Sequence, residues 1–238
     1  MPELKGKVAL ITGASSGIGE GTALHFASLG CWLALTARNK EALDDVAKRC
    51  VAKGAPSNKV LVVAGDIRRP QDVEAIVKKT ADHFGKIDIL VSNAGVAPIG
   101  PIGSIPLDEY DDALNTNLRA AFNITQEVLP YLKKTKGSIV YVSSVSTMRP
   151  EQAVPLSGIS KAGVDQLTRA TALEFAQNGI RVNSVNPGAI ETKMVFREEM
   201  SPELQNMLRS ALAASHALGR IGTVEEVARA IAFLASDD

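Results

Sequence analysis

Residues 7–30, KVALITGASSGIGEGTALHFASLG, restrict the fold of this chain more than any other stretch. Val8-Ala9-Leu10-Ile11 is too short for a helix and rich enough in branched side chains to be a buried strand. Thr12-Gly13-Ala14-Ser15-Ser16-Gly17-Ile18-Gly19 breaks that run. Apolar residues at helical spacing (Ala23, Phe26, Ala27) then resume between Thr22 and Leu29, and Gly30 stops them. The order is strand, glycine-rich turn, helix. Glycines let a backbone turn tightly and approach a ligand, and the following helix N-terminus offers unpaired N–H groups and partial positive charge, which suits a pyrophosphate. The spacing is G-x-x-x-G-x-G, and taken alone it fits an ordinary strand-to-helix turn equally well.

The same alternation continues along the chain. Trp32–Thr36, Val60–Ala64, Ile87–Val91, Ser138–Val142 and Arg181–Val185 read as further strands. Helices are expected from about Lys40 (Leu43, Val46, Ala47 and Cys50 on one face), around Val73, Ile76, Val77 and Phe84, from about Leu107 to Lys133, and from Pro155 to Asn178. Nearly continuous apolar strands separated by helices imply a parallel sheet covered on both faces. Right-handed crossovers make this a single α/β domain over 1–238, a doubly wound Rossmann fold whose ligand crevice lies beyond the carboxyl ends of the strands. The loops that meet there are Gly13–Gly19, Ala37-Arg38-Asn39, Gly65-Asp66-Ile67, Ser92-Asn93-Ala94-Gly95, Ser143-Ser144 and Asn186-Pro187-Gly188.

Composition narrows the function. Lysine plus arginine and aspartate plus glutamate number 26 each, with no basic block, so nucleic acid is not an expected partner. The start MPELKGK has no apolar signal region and no run is long enough to span a membrane, so a soluble, cytoplasmic protein is expected. Cys31 and Cys50 read as buried packing; His25, His83 and His216 share no ligand spacing and read as surface or packing residues, and no metal is expected.

Taken together, T-G-x-x-x-G-I-G at 12–19, N-A-G at 93–95, N-x-N-L at 115–118, S-S at 143–144, S-K-A-G at 160–163 and I-R-V-N-S-V-N-P-G at 180–188 resemble the short-chain dehydrogenase/reductase family. The tail from Leu218 to Thr223, followed by the Glu225-Glu226-Val227-Ala228 helix, is similar too. By that resemblance Gly13, Ser15, Ser16, Gly17, Ile18 and Gly19 hold the phosphates, Asp66 and Ile67 the adenine, and Asn93, Ala94 and Gly95 lie beside the adenosine ribose. Pro187, Gly188, Ile190 and Thr192 would hold the nicotinamide, Lys161 its ribose, and Asn117, Ser144 and Lys161 match the catalytic asparagine, serine and lysine.

The family's catalytic tyrosine would stand at 157, one helical turn before Lys161, and this chain has Ser157 there. Tyr110, Tyr131 and Tyr141 fall in other elements, and a serine hydroxyl is far less acidic than a phenol of pKa ~10. The expectation is firm cofactor binding with slow carbonyl reduction or alcohol oxidation; a catalytically silent NADP-binding or sensing protein is the alternative. At the end of strand two Ala37 replaces the carboxylate that selects NAD, while Arg38, with Ser15 and Asn39, suits a 2′-phosphate, so NADP(H) is expected over NAD(H).

Segment 193–217, with Met194, Val195, Phe196, Met200, Leu204, Met207 and Leu208, reads either as a lid over a mainly apolar ketone or secondary alcohol or as plain packing on the sheet. Arg149, Glu151 and Gln152 are placed to meet a polar substrate group. The resemblance also implies a homodimer or homotetramer through the helices at 107–133 and 155–178. It implies one more strand beyond Phe233–Ser236, where a C-terminal targeting signal could also lie, so the sheet expected here lacks its last strand.

Overall fold

A computed structural model describes residues 2–238. Its centre is β1 (Val8–Thr12), whose five residues are all buried and alternate between two hydrophobic cores. Ala9 and Ile11 face one core, with Leu33, Leu35, Ile89, Val91, Val140 and Val142; Val8 and Leu10 face the other, with Ala34, Leu90, Ile139 and Tyr141.

The sheet is parallel throughout, in the order β3-β2-β1-β4-β5-β6, where β2 is Trp32–Thr36, β3 Val60–Val62, β4 Ile89–Ser92, β5 Ser138–Val142 and β6 Arg181–Val185. Helices α1 (Gly17–Ser28), α2 (Lys40–Ala52) and α8 (Val224–Ala235) cover the first face; α3 (Pro70–Phe84), α5 (Ala120–Thr135) and α6 (Pro155–Phe175) cover the second. The remaining helices are α4 (Leu107–Leu114) and α7 (Pro202–Ala214). Strand order reverses at β1, whose neighbours are β2 and β4, so a crevice opens there beyond the strand ends.

Four boundaries differ from the sequence reading, each for a physical reason. Helix α1 begins at Gly17 rather than Thr22, because the glycines in its first turns are packing contacts: a Cβ at Gly19 would lie 2.2 Å from the Gly13 carbonyl oxygen, and one at Gly21 3.1 Å from Val224. Strand β3 stops at Val62 and is only half-buried, since it is the sheet edge. Strand β4 starts at Ile89; Asp88 just before it bonds on both sides, its carboxylate accepting from the Val8 N–H at 2.7 Å and its carbonyl from the Ser138 N–H at 2.9 Å. The helix expected from Leu107 to Lys133 is α4 and α5 joined by a π-helical stretch, Asn115–Arg119, and a widened turn of this kind is frequent at functional sites. The sheet has six strands, with no seventh among the described residues.

Candidate functional site

A cleft of about 310 Å³ occupies the crevice and is walled by the loops after β1, β2, β3 and β4 together with Thr192, Lys193 and Met194. Gly13, Ser15, Ser16, Gly17, Ile18, Arg38, Asn39, Asp66, Ile67, Asn93, Ala94, Gly95 and Thr192, all singled out from the sequence, line it. Gly19 lies beneath the loop against Gly13.

The glycine loop is shaped for an anion. Gly13 and Gly17 hold φ of +64° and +56°, and a Cβ at Gly13 would come within 2.8 Å of Ala94 and of the Asn93 amide, so only glycine lets the two loops pack this closely. The Ser16 side chain leaves the first α1 amides uncapped. Unpaired N–H groups at a helix start, facing a cleft, match a phosphate group. Thr12 and Asn93 lock the loop to the next strand. The Asn93 and Ala94 N–H groups donate to Thr12 Oγ at 2.9 and 3.0 Å, and Asn93 Nδ2 donates to the Thr12 and Gly13 carbonyls at 2.9 and 3.2 Å.

Three cations reach this cleft, and their partners separate them. Arg68 forks onto Asp66 and also pairs with Asp112; its hydrogen bonds hold the Asp66 carboxyl down at about 2. Lys193 pairs with Glu198 at 2.5 Å. Arg38 is exposed and makes no ion pair or hydrogen bond with any described residue, leaving its guanidinium free for a ligand at the end of β2. The Asn39 side chain lines the cleft and caps α2, its Oδ1 accepting from the Ala42 N–H at 3.1 Å, while its Nδ2 donors have no partner among the described residues.

Beyond Gly95 the crevice meets a second group of polar residues. Asn117, in the π-helical stretch, uses its whole amide: Oδ1 accepts from the Val96 N–H at 2.8 Å, while Nδ2 donates to the Val96 carbonyl at 2.9 Å and to Ser160 Oγ at 2.8 Å. Ser160, which sequence reading did not single out, thus ties α6 to the π-helical stretch. Ser144 Oγ accepts from both the N–H and the hydroxyl of Ser146, at 3.2 and 2.8 Å, so its own proton remains to be donated.

Lys161 is buried with one partner, the Val142 carbonyl at 2.6 Å, and a Cβ on Gly95 would stand 3.4 Å from its Nζ. Burial lowers its pKa to about 8, partly opposed by Asp165 one turn along. Ser157 lies one turn before Lys161 in the first turn of α6, and its hydroxyl has no hydrogen-bond partner among the described residues. No tyrosine lines the cleft. Tyr141 is fully buried in the opposite core with its hydroxyl 2.5 Å from Thr125 Oγ, and burial raises its pKa.

The loop after β6 closes the arrangement. The Pro187 carbonyl accepts from the Val145 N–H at 3.0 Å, and Asn186 donates to the Asp165 carboxylate at 3.1 Å and to the Ser144 carbonyl at 3.2 Å. Asp165 was not singled out from the sequence, although its place four residues after Lys161 puts it on the same face of α6. Ile190 is buried beside Gly222, and the Thr192 methyl group would lie 3.2 Å from a Cβ on Gly17. In 193–217 the two readings divide between residues: Phe196 is buried under the Arg209 guanidinium, whereas Met194, Leu204 and Met207 are exposed and Met194 lines the cleft. Of the three polar candidates nearby, Arg149 donates to the Ser215 carbonyl at 3.3 Å, while Glu151 and Gln152 are exposed. Cys31 and Cys50 are buried free thiols.

A family model described as enoyl-(acyl carrier protein) reductase matches residues 13–238. The chain is 40% identical over 236 residues to the 3-oxoacyl-[acyl-carrier-protein] reductase of Thermotoga maritima, covering 99% of this chain and 92% of that protein. It is 35% identical to an L-rhamnose 1-dehydrogenase (NAD(P)(+)) of Sphingomonas sp., over 100% of this chain and 92% of the relative. Among solved structures, levodione reductase superposes with a TM-score of 0.93 at 32% identity, covering 99% of this chain and 92% of that one. A short-chain dehydrogenase/reductase of Caenorhabditis elegans, solved with cofactor, superposes at 0.90 and 35% identity, over 98% and 89%.

Proposed function

The chain belongs to the short-chain dehydrogenase/reductase family, and on that basis we propose that it is an NADP(H)-dependent carbonyl reductase or alcohol dehydrogenase acting on a mainly apolar ketone or secondary alcohol. The observation that carries the cofactor choice is the free guanidinium of Arg38 at the end of β2, with Ala37 where a carboxylate would repel a 2′-phosphate. When bound, a nicotinamide dinucleotide supplies or accepts the hydride.

The chain's own residues divide the remaining work. The amides of the loop and α1 start, from Gly13 to Gly19, bind the phosphates. Asp66, Ile67, Asn93, Ala94 and Gly95 shape the adenosine end, and Pro187, Gly188, Ile190 and Thr192 the other end. Ser144 donates its free proton to the substrate oxygen and Lys161 places positive charge beside it. Asn117 keeps the Gly95-Val96 backbone in place. Met194 and the exposed apolar residues of α7 would cover an apolar substrate.

Proton transfer is the weak step. A serine at 157 offers a poor acid and a short reach, so turnover is slow while binding is intact. Ser157 also favours a second reading, an NADP-binding sensor without turnover. Titration of NADPH and NADH by fluorescence, followed by a panel of ketones and alcohols, tests both: tight NADPH binding with slow reduction supports the first, binding with none supports the second, and tighter NADH binding defeats the cofactor assignment.

A second copy of this chain is the proposed partner. Phe122 on α5 and Ile159 and Leu173 on α6 are large apolar residues left exposed on helices that in family resemblance pair between subunits. Light scattering should give a dimer or tetramer.

A further inference from the structure

Besides the contact of Pro187 with Val145, the loop from Pro187 to Ile190 is held from two further sides. On the α8 side the Gly222 N–H donates to the Ala189 carbonyl at 2.9 Å and the Glu191 N–H donates to the Gly222 carbonyl at 3.0 Å, forming a short bridge at Ile190. On the other side stands His216, two residues beyond the end of α7. Its Nδ1 is 2.7 Å from the Leu212 carbonyl, which can only accept, and its Nε2 is 3.1 Å from the Ala189 N–H, which can only donate. The two contacts together admit one form of the ring, neutral with its hydrogen on Nδ1. The approach is close. A Cβ at Gly188 would lie 2.4 Å from His216 Nε2, so the ring occupies the space that any other residue at 188 would need.

We propose that His216 is a positioning residue that clamps the last turn of α7 to Ala189, so that the 193–217 segment and the Pro187–Ile190 loop move as one piece. The loop's place beside the nicotinamide rests on the function proposed above; the clamp does not. Sequence alone offered His216 as a surface or packing residue, because its partners are backbone groups 4 and 27 positions away that no side-chain motif records. The arrangement gives the covering segment direct leverage on the loop expected to face the reactive end of the cofactor: opening α7 pulls on Ala189, and seating that loop draws α7 back.

The test uses the protein without ligand. Nitrogen-15 shifts of the His216 ring, recorded where the imidazole is neutral, should report a protonated Nδ1 and a bare Nε2. Amide exchange at Ala189 should be slow in the parent, speed up roughly tenfold in His216→Phe, which keeps the ring shape and loses the acceptor, and return toward the parent rate in His216→Gln, whose amide oxygen reaches the place of Nε2. Gly188→Ala should also speed exchange, and should add little in a His216→Ala background, because the clash it creates is then gone.

An Nε2–H ring, or Ala189 exchange unchanged in His216→Phe, overturns the proposal; if that variant does not fold, the parent's ring tautomer decides. A clamp that passes in a protein that binds no NADPH would leave this inference standing and remove the functional one.

Discussion

At the glycine loop Thr12 and Asn93 commit their polar atoms to neighbouring backbone, whereas in the polar group beyond Gly95, outside the cleft lining, Ser144, Ser157 and Lys161 keep donors that no described residue uses. The first arrangement is a rigid mould in which, among the described residues, Arg38 is the lining charge without an ion-pair partner. The second is a set of groups with spare capacity, and on the proposed reading one of them, Ser157, stands where proton transfer would need a stronger acid. Satisfied hydrogen bonds hold a site in shape, and donors left without a partner remain available to a ligand.

The largest expected effect would sharpen this contrast. Ser157→Tyr should raise the rate of carbonyl reduction by ~10²–10⁴, the usual worth of a general acid, while NADPH affinity changes little. Steady-state kinetics beside a binding titration checks it, and no gain with retained binding would favour the sensor reading.

Next in size is the pH dependence of Lys161. Burial lowers its pKa to about 8 from an unfolded value near 10.5, so between those limits the unfolded chain carries more protons and stability rises with pH. Below about pH 8 the folded protein bears the full cost of a buried ammonium. Urea denaturation from pH 7.5 to 10.5 should show a gain on the order of 3 kcal/mol in the parent relative to Lys161→Met, which lacks the titrating group. Parallel curves for the two proteins would mean that the ammonium is better solvated than its burial implies.

A smaller loss is expected from Thr12→Val, which keeps the shape and removes the acceptor shared by the Asn93 and Ala94 N–H groups. Leaving them unpaired should cost about 2 kcal/mol of unfolding free energy and weaken cofactor binding at the same time, because the mould itself loosens. If calorimetry shows lower stability but binding is untouched, the mould is not what holds the dinucleotide. The smallest effect belongs to the free charge: Arg38→Ala should weaken NADPH about tenfold and leave NADH nearly unchanged, as measured by paired fluorescence titrations.

Much of this molecule was legible because it is written in local patterns. Alternating strands and helices, the glycine spacing at 13–19, and the loops ending in Asn93, Ser144 and Asn186 are short-range features, and they led to the sheet, its crevice and most of the cleft lining. The misreadings came where long-range contact decided. Gly17, Gly19 and Gly21 weigh against a helix by propensity, yet they lie in the first turns of α1, where Thr192, the Gly13 carbonyl and Val224 stand close in the space a side chain would take.

By itself the sequence determined the fold class, the family and the one chemical anomaly, Ser157, since periodicity, motif order and residue identity at 157 need no coordinates. Only the tertiary structure decided which of those groups are free to act. Whether Arg38 is unpaired, whether Ser144 keeps its proton, whether Lys161 is desolvated and whether His216 grips Ala189 all depend on partners far apart in the chain, and hydrogen bonds and burial are properties of neighbours in space.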